Sequence, residues 1–154
     1  MSKLLLSLHV LAAVLFIGPV TVAASMFPAR ARAALAADAD RPAAVASVRM
    51  LYRITRVYAI MGLTVPALGF FTAQSMGVLG DPWLLVSIAL TAVAVGVLLL
   101  VVLPRQEGVL EALDGTGPDP ATLSRLAMFT GMYSLLWTVV VVLMVVRPGS
   151  TTGA

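Results

Sequence analysis

Four apolar runs fill most of this 154-residue chain, and nearly every charge lies between them. They cover about 4–27, 57–79, 83–103 and 126–146, and a helix of about twenty residues, rising 1.5 Å per residue, crosses a hydrocarbon core of roughly 30 Å. The expected fold is therefore all-α: an integral membrane four-helix bundle made of two hairpins. Residues 1–154 read as a single transmembrane domain, with longer connections at 28–56 and 104–125 and little chain left for anything outside the bilayer.

Composition narrows the chemistry. Hydrophobic residues make up 60% and charged residues 11%, and the mean hydropathy is +1.03. With no cysteine, the chain has no disulfide, thiolate metal site, iron–sulfur cluster or covalently attached c-type haem of its own. A net charge of +3 raises the question of nucleic acid. Because the basic residues flank apolar spans, anionic phospholipids are the expected partners instead, with no nucleic acid.

Charge also orients the bundle. Arg30, Arg32, Arg41, Arg49, Arg53 and Arg56 lie between the first two runs, and Arg105 and Arg125 between the last two, against Lys3 and Arg147 on the other side. Basic residues collect in cytoplasmic loops, so both connections are expected inside and both termini outside. The first run begins after Lys3 and contains the small residues Val22-Ala23-Ala24-Ser25, in the manner of a secretory signal. It is longer than a signal core and is expected to be retained as a span.

Prolines punctuate the helices. Pro28 marks the end of the first span, while Pro19 and Pro66 lie inside spans, where each removes a backbone hydrogen bond and should distort its helix. Ala29–Ala37 reads as helical, and Asp38–Pro42 as a break with Asp40 as N-cap. From about Ala43 a helix should run directly into the second span. The stretch from Glu107 to Pro120 is acidic and rich in glycine and proline, and reads as an exposed loop. Residues 148–154 read as a frayed tail. Pro28-Ala29-Arg30 matches Pro104-Arg105, and Arg56 with Gly62 matches Arg125 with Gly131, which suggests a parallel repeat of the two hairpins.

Few residues in the spans can carry chemistry. His9 is the single histidine; in a membrane it could ligate haem or a metal or pass a proton, or simply bond a carbonyl near the outer interface. The apolar runs hold no Asp, Glu or Lys in their interiors, as a proton pump or ion-coupled transporter needs, and no base paired with a nucleophile, as a hydrolase needs. The chain is accordingly read as no enzyme. Arg49, Arg53 and Arg56 form one helical stripe suited to lipid phosphates or to an acidic partner surface. Thr130, Ser134 and Thr138, with Gly131, form a small polar stripe suited to close helix approach. Trp83 fits an interfacial belt, whereas Trp137 falls near mid-membrane and is expected to pack against protein. The eight methionines, Met61, Met128, Met132 and Met144 among them, read as gap-fillers.

The segment Ser7-Leu8-His9-Val10-Leu11-Ala12-Ala13-Val14-Leu15-Phe16-Ile17-Gly18-Pro19, followed by Met26-Phe27-Pro28, resembles an uncharacterised family of small four-helix bacterial membrane proteins. Within that group it looks similar to the prokaryotic respiratory supercomplex associate factors of actinobacteria. That resemblance implies a non-catalytic accessory subunit, multi-pass in the bacterial cell membrane, with cytochrome bcc and cytochrome c oxidase subunits as partners and no cofactor. The same opening is similar to four-helix membrane proteins of the protoporphyrinogen oxidase and copper-resistance type, which would make His9 a haem or metal ligand. From that second group this chain departs in lacking another histidine.

Overall fold

A computed structural model of the chain describes residues 2–150. Four helices fold back and forth: α1 (Lys3–Ala36), α2 (Arg41–Met76), α3 (Pro82–Leu113) and α4 (Pro120–Val146). They contain 34, 36, 32 and 27 residues, all long and apolar enough to cross a membrane. Both chain ends therefore lie at one end of the bundle, the terminal end, and the connections 37–40 and 114–119 at the other, the arginine-rich end.

At 1.5 Å per residue these helices measure roughly 40–54 Å, well beyond a hydrocarbon core of about 30 Å. The excess lies at the arginine-rich end. α1 does not stop at Pro28 but carries it, buried, inside a helix that continues to Ala36. α3 runs through Glu107 and ends only at Leu113, so the irregular part of the stretch first read as a loop is confined to 114–119. The reason is a buried face: Val102, Gln106, Val109, Leu110 and Leu113 recur at helical spacing and all point inward. Gly117 closes the turn at φ +93°, and a Cβ there would lie 2.8 Å from Leu35 Cδ2. Glycine meets both demands at this position.

The distortions follow the prolines. π-helical turns occupy Ala13–Ile17 in α1 and Val97–Val102 in α3, each just before a proline, Pro19 and Pro104. Proline offers no N–H to the carbonyl four residues earlier, and a widened turn is one way a helix accommodates that loss. In α2 the ladder is broken at Leu63, three residues before Pro66, and resumes at Thr64. Asp40 occupies the N-cap position of α2 but makes no side-chain cap bond, whereas Asp119 caps α4 by accepting from the Ala121 N–H at 3.2 Å. Gly77, at φ +70°, ends α2 in a left-handed C-cap.

Packing is uneven along the bundle. One continuous core runs from mid-membrane to the arginine-rich end and contains Val20, Ala24, Phe27, Ala31 and Ala34 of α1, Val48 and Ala59 of α2, residues of α3 from Ala94 to Leu113, and Leu123, Leu126 and Tyr133 of α4. Its alanines let helix backbones come close. Near the terminal end the second cluster is small: Ala73, Trp83 and Leu84, with Met144 packed against them.

The hydroxyls of the small polar stripe of α4 bond within their own helix, although Thr130 is buried in the bundle. Thr130, Ser134 and Thr138 each donate to the carbonyl four residues back on their own helix, at 2.9, 3.1 and 2.9 Å. A Cβ on Gly131 would meet nothing within 4 Å. A hydroxyl in an apolar medium has a partner ready in its own preceding turn, and that local bond takes precedence over one across an interface.

Candidate functional site

Near the terminal end, α1 carries His9 against α2. Its Nδ1 lies 2.9 Å from the Val65 carbonyl oxygen. A carbonyl only accepts, so the proton sits on Nδ1 and Nε2 carries the lone pair. The ring lies against bare backbone: a Cβ on Gly69 would fall 2.9 Å from His9 Cε1. His9 is 9% exposed. The sequence alternative of a histidine bonded to a carbonyl is the arrangement observed. Two features of α2 make it possible, a glycine at 69 and a carbonyl one turn earlier on the same face.

At mid-membrane, Tyr133 and Trp137 of α4 meet edge to face with ring centroids 6.4 Å apart. Trp137 thus packs against protein, as its depth in the span implied. Tyr133 is 1% exposed, and its hydroxyl faces Thr21 and Trp137. Neither Tyr133 Oη nor Trp137 Nε1 has a hydrogen-bond partner of good geometry. Trp83 is buried at the terminal end, where its Nε1 donates to Asp81 Oδ2 at 3.0 Å and the Arg147 guanidinium lies 5.5 Å from its ring centroid. An indole at this level with a polar tip and a cation beside it fits the interfacial role.

At the arginine-rich end the predicted stripe divides. Arg49 bonds Asp114 at 3.3 Å, and Arg41 donates to the Leu113 carbonyl at 3.2 Å, so α2 clasps the end of α3 with two guanidinium groups. Arg53 and Arg56 are exposed, and among the described residues no ion pair engages either. Arg105 lies 4.2 Å over the Phe129 ring, with Nη1 buried and unpartnered. Gln106 is wholly buried, and neither end of its amide has a partner.

Sequence reasoning passed over Tyr133 and Gln106, and counted Arg105 only as a flanking positive charge. The signal for Gln106 was available, since it is the lone amide in an otherwise Val/Leu face at helical spacing. The isolation of the Tyr133 hydroxyl could not be foreseen, because it depends on what the other helices place opposite it. Among the described residues no group of three or more His, Asp or Glu side chains is arranged to hold a metal ion.

No curated protein and no solved structure matches the chain. Over residues 3–148, from the span that carries His9 to the turn beyond α4, the chain belongs to the DUF2269 family of predicted integral membrane proteins.

Proposed function

We propose that this protein is a non-catalytic accessory subunit of a respiratory supercomplex, bridging cytochrome bcc and cytochrome c oxidase in an actinobacterial plasma membrane. One observation carries the reading. The single histidine of the spans uses its N–H on the Val65 carbonyl and its ring face on Gly69, which makes it part of the packing between α1 and α2. Around it the helices supply an apolar surface for neighbouring helices and lipid tails. The excess of arginine orients the connections toward the cytoplasm, where the exposed Arg53 and Arg56 meet acidic partner side chains or anionic lipid phosphates.

Purification of the tagged chain from native membranes in mild detergent tests the proposal. Cytochrome bcc and oxidase subunits are expected in stoichiometric yield, and recovery of the chain alone overturns the reading. Replacing Arg53 and Arg56 by Glu should lower the co-purified fraction about tenfold, equivalent to about 1.4 kcal/mol. The single variant His9→Ala should leave oxygen consumption unchanged.

A second reading starts from the same hydrogen bond. A histidine whose Nδ1–H is held by a carbonyl presents Nε2 as a ligand, the usual orientation in haem and metal sites. On that reading His9 binds haem or a metal. The purified protein would then be coloured, with a Soret band lost in His9→Ala.

A further inference from the structure

Where the four helices meet at mid-membrane, a small cavity lies between Val20 of α1, Gly62 of α2, Leu98 of α3 and the Tyr133 and Trp137 rings of α4. About 10 Å³ of it is open to the centre of a water-sized sphere, close to the roughly 10–15 Å³ needed to hold one water molecule. Its walls are mostly apolar, yet two hydrogen-bonding groups among its lining residues are stranded. Tyr133 Oη and Trp137 Nε1 are both buried, and although the hydroxyl faces Thr21 and the indole, neither atom has a partner of good hydrogen-bond geometry.

Stranded groups of this kind are rare in folded proteins, because each forfeits its hydration on burial without recovering a hydrogen bond. The cost is felt more in a bilayer, where no solvent can reach them. The break in α2 at Leu63 adds a backbone carbonyl without its usual donor at this level. Gly62 lines the cavity, and its carbonyl would ordinarily accept from the residue four positions on, which is Pro66 and has no N–H.

We infer that one water molecule is bound in this cavity at the centre of the bundle, accepting from the Trp137 indole N–H and bonded to the Tyr133 hydroxyl and the Gly62 carbonyl. Three partners from two helices are the usual complement of a buried water. Polarity argues against an empty void, since voids that stay dry are lined by apolar groups alone. The water joins α4 to α2 where α2 lacks its own hydrogen bond, so it acts as a structural ligand of the helix break. This inference is independent of the partner proposed above.

Water-edited solid-state NMR on the full chain in lipid bilayers tests it. The indole N–H of Trp137 is assigned by comparison with Trp83→Phe. It should take up magnetisation from water several-fold faster than the backbone amides of the neighbouring turn, Val139 to Val142. In Tyr133→Phe, which removes one partner and keeps the ring, that transfer should fall several-fold. Uptake no faster than that of the neighbouring amides in the native chain overturns the inference. Uptake unchanged in Tyr133→Phe overturns it as well, because the hydroxyl would then hold no water. Should Tyr133→Phe not fold, the native comparison decides alone.

Discussion

The two ends of this bundle solve different problems with the same four helices. At the arginine-rich end the helices leave the hydrocarbon and continue together, so their facing sides must be shielded from water. There Phe27, Ala31, Ala34, Val48, Val109, Leu113 and Leu123 form a continuous core, and Arg41 and Arg49 clasp the end of α3. Near the terminal end the surroundings are lipid, as apolar as the side chains, and little is gained by burying one against another. Phe70 and Phe71 accordingly remain 52% and 56% exposed. Contact between α1 and α2 is fixed there by one hydrogen bond from His9 and the close fit of its ring to Gly69. An extended buried core holds one end, whereas the other relies on the small Trp83 cluster with Arg147 beside it and on the His9 bond between α1 and α2.

The sharpest way to break this comparison is to remove one phenyl group from each end. Phe27→Ala should destabilise the bundle by about 3–5 kcal/mol, as for other buried aromatic truncations, while Phe70→Ala should change stability by no more than about 0.5 kcal/mol. Reversible unfolding in mixed micelles, followed by circular dichroism, measures both, and equal losses would sink the comparison.

At the terminal end the sensitive position is a glycine. Gly69→Ala places a methyl against the His9 ring and should cost about 1–3 kcal/mol by overpacking. His9→Ala removes ring and hydrogen bond together and should cost about as much. The double variant is expected to lose less than the sum of the two, since the clash disappears with the ring. Strict additivity would mean that the two residues do not meet.

Gln106 sharpens the picture of the closed end, with the opposite sign. It is buried with no partner for either amide atom, so Gln106→Leu should stabilise the bundle by about 1 kcal/mol. A loss of stability would show that the amide has an unseen partner. The smallest effect belongs to Arg49 and Asp114, whose side chains are 55% and 62% exposed. A double-mutant cycle to alanine should yield a coupling of only about 0.2–1 kcal/mol, falling as salt is added.

The comparison also marks what could be read in advance. Span number and type were legible because about twenty apolar residues in a row leave a backbone no alternative to a helix in lipid. The sites of distortion were legible at Pro19 and Pro66, since a missing N–H is a local fact. The length of the helices was not. Pro28 and the stretch after Glu107 look like ends when judged by local composition alone, yet α1 and α3 pass through both because the neighbouring helices continue beside them. The stripe Arg49, Arg53 and Arg56 was legible as a stripe. That Arg49 turns to Asp114 required knowing where α3 ends.

Sequence by itself determined the membrane, the four helices, their alternating direction and the side on which positive charge gathers, because each depends on hydropathy, chain length or charge count. Only the tertiary structure decided which polar groups are satisfied. His9 finds a carbonyl on a helix more than fifty residues away, while the Gln106 amide, Tyr133 Oη and Trp137 Nε1 are buried with no well-formed hydrogen bond to the chain. The difference is physical: a span needs only its own residues to be stable in lipid, whereas a hydrogen bond between spans needs two helices brought to one depth and one rotation by everything else that packs around them.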